Sequence, residues 1–362
     1  EAAWPLPVDE FLPLAYPFSP TDHVFTDARV VVREDEPSSI IAFTLDSQNY
    51  REQLANSRQS RSDAPLTELR HADGSHYLYE FDTETIKLWC KIFFAEQFDA
   101  LRHMCGCAEQ FVQSLSRCFK WDSRGGKSGS AFLKTRDDRF VVKQLSRTEL
   151  DGFSKFAPQY FTYLADCQSA LRPTALTKIF GYFRIGFKNT HTGRSFKMDF
   201  MVMENLLYGR SVDRIFDLKG STRHRFVQES GQPHEVLQDE NLMQRAQSSP
   251  LLVREHSKRI LRTALHNDSL FLTEMNVMDY SLIMALDTSR NKMVIGIIDY
   301  LRTYTWDKRV ESFVKETAIL GGGGKGEPTI ITPRQYRMRF LTFLDRNILM
   351  TPDPWIQSGW VQ

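Results

Sequence analysis

The sequence predicts an α+β fold in two lobes, antiparallel sheets with packed helices, and three observations carry that reading. Short runs of β-branched and aromatic residues with period-two alternation fill the first half, apolar positions at helical spacing recur among them, and glycine-bearing turns separate the two patterns. At 362 residues the length suits two or three domains, or one two-lobed unit. Residues 1–64 are expected to be extended and partly disordered, 65–205 to form an N-lobe, and 206–362 a C-lobe.

Taken in order, Glu1 to Pro20 holds five prolines and reads as an extended tail. Ser47 to Asp63 is polar with no apolar period past Leu54, which points to partial disorder. His76 to Phe94 alternates as two strands, through Tyr77, Tyr79 and Phe81, then Ile86, Leu88, Cys90 and Ile92; Phe94 to Cys105 reads as a helix. Phe132 and Leu133 resume an extended run, and Arg139 to Leu145 is a strand. Phe153, Phe156, Tyr160, Phe161 and Leu164 mark a helix. In the C-lobe, Pro250 to Leu272 and Tyr336 to Leu349 read as helices, Met293 to Ile298 as a buried strand, and Gln228 to Gln238 and Ala246 to Pro250 as loops.

Composition narrows the class. A net charge of +1 and 41% apolar residues suit a cytosolic protein with a full core, and no nucleic-acid partner is expected. Five cysteines, an odd number without a CxxC pair, indicate neither a zinc site nor a disulfide framework. No apolar run approaches the roughly 18 residues of a membrane span, and Glu1 as first residue reads as a fragment or processed chain. Between Asp22 and Glu84 there are 13 acidic and six basic residues, whereas Asp299 to Arg346 carries nine Lys or Arg against six acids. The later region therefore leans positive. Its basic residues suit an anionic leaflet, at about 1 kcal/mol each, although a charge run is more often a solvated face.

Four signatures then occur in the order that phosphoryl transfer needs: donors around phosphates, a lysine on a rigid strand, a carboxylate for the attacking hydroxyl and another for magnesium. Gly125, Gly126, Lys127, Ser128, Gly129 and Ser130 form a glycine loop between strands; no glycine precedes Gly125 in that stretch, so it is not a P-loop. An ordinary hairpin turn is its plain alternative. Lys143 ends the strand RFVVK, and Glu149 at the start of the next helix is its candidate partner, with Asp151 as rival. Lys219 in DLKGS lies on a turn that can bring a second ammonium to phosphates, with Arg223 and Arg225 adding positive potential. Asp279 in MDYSL and Asp299 in IIDY follow apolar runs, where an aspartate is often only a turn or cap. Protein-kinase signatures HRD, DFG and APE are absent.

GGKSGSAF, DDRFVVKQL, DLKGSTRHR, MDYSL and IIDY, in this order and spacing, closely resemble the phosphatidylinositol phosphate kinase family. APQYF, RPTALTKIFG, MENLLYGR and IIDYLRTYTWDK are similar to its type III branch, which phosphorylates phosphatidylinositol 3-phosphate at the 5-hydroxyl. The likeness runs from about Phe111 to Trp355. It implies that fold, with ATP in the inter-lobe cleft. It also implies Lys143 and Lys219 on the ATP phosphates, Met203, Glu204, Asn205 and Leu206 as the adenine hinge, Asp279 as the catalytic aspartate and Asp299 as the Mg2+ ligand. Arg223, Arg225, Lys308, Lys315 and Lys325 are expected to meet the anionic head group. Type III relatives imply a phosphoinositide in a membrane surface, peripheral placement on endosomal or vacuolar membranes, and a complex with a scaffold and a lipid phosphatase. Two other classes compete: a catalytically silent lipid-binding adaptor, against which the joint presence of Lys143, Lys219, Asp279 and Asp299 argues, and a kinase of soluble inositol phosphates.

Overall fold

In a computed structural model of the chain, residues 19–26, 28–59, 65–71, 74–121, 131–232, 235–287, 289–301 and 332–352 are described. They fall in two compact units, Glu1–Ala170 with Thr177–Gly209, and Leu171–Leu176 with Arg210–Gln362. The first begins with a short antiparallel ribbon, β1 (Asp22–His23) with β2 (Val32–Arg33). Three helices follow: α1 (Ser38–Asp46), α2 (Gln48–Gln59) and α3 (Pro65–Leu69). The main sheet of this unit has seven strands, β3 (Tyr77–Asp82), β4 (Ile86–Ile92), β5 (Cys118–Trp121), β6 (Phe132–Thr135), β7 (Phe140–Gln144), β8 (Ile179–Asn189) and β9 (Ser195–Glu204). They lie in the order β3-β4-β8-β9-β7-β6-β5, each neighbouring pair antiparallel.

Alternation explains which sheet face is covered. Ile86, Leu88, Cys90 and Ile92 of β4 and Phe183, Ile185 and Phe187 of β8 are all buried, while Lys87 and Lys188 between them are exposed. The remaining helices of this unit are α4 (Ala95–Met104), α5 (Ala108–Leu115) and α6 (Arg147–Ser169). An aromatic cluster ties α4 and α6 to β8. The Phe153 ring lies 4.8 Å from Tyr182 and Phe98 lies 5.0 Å from Phe161, each such pair adding about 0.5–1.5 kcal/mol beyond its buried area.

The N-terminal expectation needs correction. Every residue of α1 is buried, with the Phe43 ring 4.8 Å from Phe81 of β3. Gln48 to Gln59, within the Ser47 to Asp63 segment expected to be partly disordered, is helical because Tyr50 and Leu54, one turn apart, are buried and its polar face is anchored. Arg58 pairs with Asp99, Ser57 donates to Glu96, and the Tyr79 hydroxyl donates to Gln53 at 2.5 Å. Two apolar positions sufficed where neighbours supply polar partners. The prolines of residues 1–18 lie outside the described residues.

The second unit holds β10 (Arg214–Leu218), β11 (Val236–Leu237), α7 (Asp239–Ser248), β12 (Leu251–Arg254), α8 (Glu255–Glu274), β13 (Ser281–Asp287), β14 (Lys292–Ile298), α9 (Pro333–Asn347) and β15 (Ile348–Thr351). Four strands form the sheet β11-β10-β13-β14, parallel only between β10 and β11. β12 and β15 pair in parallel, Leu251 opposite Ile348. Three expectations therefore shift. The run Leu251-Leu252-Val253 is a strand rather than the start of a helix, because a β-capable segment far along the chain completes it; the helix begins at Glu255. The last helix starts earlier, at Pro333, where Thr332 and Gln335 form a capping box and proline takes the first turn. Val236–Leu237, within the loop expected over Gln228 to Gln238, forms β11, and Ala246 to Ser248, within the loop expected over Ala246 to Pro250, belongs to α7. All five cysteines are free and buried.

Candidate active site

Within the first unit, β7 carries Lys143 between Phe132 of β6 and Met201 of β9. Its side chain is 4% exposed, and its Nζ lies 3.1 Å from the Glu149 carboxylate, itself 10% exposed. Glu149 is the third residue of α6, and its other oxygen accepts from the Ser146 backbone at 2.9 Å while the Ser146 hydroxyl accepts from the Glu149 N–H. Burial pushes the Glu149 carboxyl up, but the Lys143 charge and the Ser146 donors outweigh it and hold the group below its ordinary value. Asp151, the rival, is exposed.

The expected hinge straddles a strand end. Met203 sits between Val141 and Ile179 in the sheet, and Glu204 faces Phe140 while its carboxylate accepts from the Lys178 N–H at 2.6 Å. Asn205 lies past β9: its N–H donates to Arg139 O at 3.0 Å and its side-chain amide to Asp138 O at 2.7 Å. Leu206 follows, half-buried. Gly125, Gly126, Lys127, Ser128, Gly129 and Ser130 lie outside the described residues; β5 and β6, which flank them, are neighbours with Trp121 opposite Phe132.

In the second unit, strand register gathers three of the residues expected at the site. Leu218 of β10 pairs with Leu282, and Ser281 at the start of β13 pairs with Ile298 at the end of β14. Lys219, Asp279 and Asp299, each one or two residues beyond those positions, therefore flank the same end of three adjacent strands. Asp279 and Asp299 are exposed and have φ of 65° and 59°, a left-handed backbone that aspartate tolerates better than most residues. The Lys219 ammonium donates to the Asp279 carbonyl at 2.5 Å. Two signatures far apart in sequence thus touch.

The DLKGS turn is held from both sides. Asp239, fully buried at the start of α7, accepts from the backbone N–H of Lys219 at 3.0 Å, Gly220 at 2.7 Å and Ser221 at 3.2 Å, and from Arg225 Nε at 2.7 Å. Gly220 has φ of 73°, and a Cβ there would lie 2.7 Å from the Phe340 Cα of α9. Below MDYSL, the Tyr336 hydroxyl of α9 donates to the Tyr280 carbonyl, and the Tyr280 ring packs 4.8 Å from Tyr336 and 5.1 Å from Phe340. Arg225 does not stand free for a head group as expected, because its guanidinium pairs with Asp217 at 3.0 Å and with Asp239, and so builds the turn. Arg223 is exposed. Lys308, Lys315 and Lys325 lie outside the described residues. Sequence reasoning missed Asp239 and Tyr336, since an acid in a helix's first turn and a tyrosine on an apolar stripe look ordinary.

A profile described as phosphatidylinositol-4-phosphate 5-kinase matches residues 114–293 and 286–347. The chain belongs to this kinase family. Among relatives, 1-phosphatidylinositol 3-phosphate 5-kinase FAB1 of Saccharomyces cerevisiae is 40% identical over 434 residues, covering 96% of this chain and 19% of the relative. The 1-phosphatidylinositol 3-phosphate 5-kinase of Homo sapiens is 44% identical, covering 83% and 14%, and the 1-phosphatidylinositol-3-phosphate 5-kinase FAB1A of Arabidopsis thaliana is 38% identical, covering 92% and 22%. The chain spans between 14% and 22% of the length of these relatives. Membership in a kinase family implies ATP as phosphoryl donor.

The donor chemistry also fits a divalent cation. Magnesium in phosphoryl-transfer sites takes one or two carboxylates plus phosphate oxygens and water, and Asp299 presents an exposed carboxylate at the sheet end. Among the described residues there is no cluster of three or more His, Cys, Asp or Glu, so an all-protein cage is not the kind of site these residues offer. No described helix is long and apolar enough to cross a membrane.

Proposed function

We propose that the chain is the catalytic part of a lipid kinase that transfers the γ-phosphoryl of ATP to the 5-hydroxyl of phosphatidylinositol 3-phosphate, giving phosphatidylinositol 3,5-bisphosphate and ADP. The observation that carries this reading is the register that brings Lys219, Asp279 and Asp299 to one end of the β10-β13-β14 sheet. The relatives' names supply the substrate. In the reaction, Lys143 and Lys219 place fixed positive charge on the phosphates, and Glu149 holds Lys143 in orientation. Asp279 accepts a hydrogen bond from the 5-hydroxyl and takes its proton late, as the new P–O bond forms and the bond to the ADP oxygen breaks. Asp299 would hold Mg2+, which when bound offsets charge on the transferring phosphoryl. Asn205 and Leu206, at the strand end, are offered to adenine. Lys308, Lys315, Lys325 and Arg223 are assigned to the anionic lipid, and peripheral placement on endosomal or vacuolar membranes with a scaffold and a lipid phosphatase belongs to the same proposal.

The test compares turnover of labelled ATP on vesicles bearing phosphatidylinositol 3-phosphate with turnover on the soluble head group. Label appearing in lipid supports the proposal. Label in the soluble head group alone favours the inositol phosphate kinase, and label in neither favours the adaptor.

A further inference from the structure

Lys219 occupies a turn, and a lysine on a turn is a poor device for electrostatic catalysis unless something fixes the turn. The something is visible. One carboxylate, Asp239, fully buried, gathers three consecutive backbone N–H groups from Lys219, Gly220 and Ser221 and closes on Arg225, whose guanidinium also reaches Asp217 at the start of the same signature. A buried charge is expensive unless paired and fully hydrogen-bonded, and here every bond it makes in the turn brackets the lysine. The ammonium itself donates to the Asp279 carbonyl, while Asp239 holds the backbone N–H of the same residue. We infer that Asp239, braced by Arg225, is the positioning residue that aims the Lys219 ammonium, acting on transfer only through that lysine. This inference rests on the phosphate-contacting role proposed for Lys219.

The test is a double-mutant cycle in kcat on vesicles bearing phosphatidylinositol 3-phosphate, made with Asp239→Asn and Lys219→Ala. Asparagine keeps the shape and one acceptor for the turn but ends the ion pair with Arg225. Lys219→Ala is expected to lower kcat about a hundredfold, and Asp239→Asn alone about tenfold, the scale of a small misplacement of a charge. In the Lys219→Ala background, Asp239→Asn is expected to change nothing further. Where Asp239→Asn fails to fold, Arg225→Gln, which loosens the same turn from its half-buried side, replaces it in the cycle. A tenfold loss that persists without Lys219 overturns the inference while leaving the kinase reading intact. A silent Lys219→Ala overturns both the inference and the phosphate role given to that lysine.

Discussion

At the scale of single residues, the Glu149 carboxylate serves two elements, capping α6 through Ser146 and neutralising Lys143 on β7. Because its folded value lies below the unfolded value of about 4.3, the stability it lends is fully present above that pH and is lost as the pH falls through the lower, folded value. Glu149→Gln is therefore expected to flatten the fall in Tm below about pH 4.3, and to cost about 3 kcal/mol at neutral pH by removing the Glu149 charge from beside the buried Lys143 ammonium. An acid limb as steep as that of the unaltered chain would remove Glu149 from this role. Asp299→Ala is expected to lower stability by no more than about 1–2 kcal/mol, the penalty of alanine in the left-handed backbone that aspartate occupies there, while reducing transfer to background whatever the magnesium concentration. Near-normal turnover would take Asp299 out of the site. The strand that carries Lys143 could be read from its own apolar run, because strand and partner lie within one local pattern. The hold of Asp239 on Lys219 could not, because a buried carboxylate twenty residues downstream carries no local mark.

At the scale of elements, α9 supports two turns of the second unit, meeting DLKGS at Gly220 and MDYSL through Tyr336. Gly220→Ala adds a left-handed penalty of about 1–2 kcal/mol to a backbone clash, so a loss of about 3 kcal/mol in denaturant unfolding is expected. An unchanged unfolding midpoint would mean that the helix and turn do not approach as closely as they do here. Tyr336→Phe removes one buried hydrogen bond and is expected to cost about 1 kcal/mol. The helix itself was legible from Phe340, Leu341, Leu344 and Ile348, but Ile348 proved to open β15. Parallel pairing of β12 with β15 joins segments about a hundred residues apart, and a short apolar run leaves strand and helix undecided until its partner is known. The same holds for α2, whose two apolar positions gain meaning only from Asp99, Glu96 and Tyr79.

At the scale of the whole molecule, the charge balance of +1 hides the basic lean after Asp299, and position-specific transfer requires the head group to be held in one orientation. Lys325→Glu is expected to lower turnover on vesicles bearing phosphatidylinositol 3-phosphate about tenfold while sparing the slow hydrolysis of ATP by water; equal turnover would move head-group recognition to Arg223. The most direct test of the central proposal is the regiochemistry of the product. The chain is incubated with labelled ATP, magnesium and vesicles carrying the 3-, 4- or 5-monophosphate of phosphatidylinositol, and the labelled lipid is deacylated and its phosphate positions assigned. Label on the 5-position of the 3-phosphate lipid, lost in Asp299→Ala, is the predicted result; label confined to another position or another lipid, or equal label with Asp299→Ala, would contradict it.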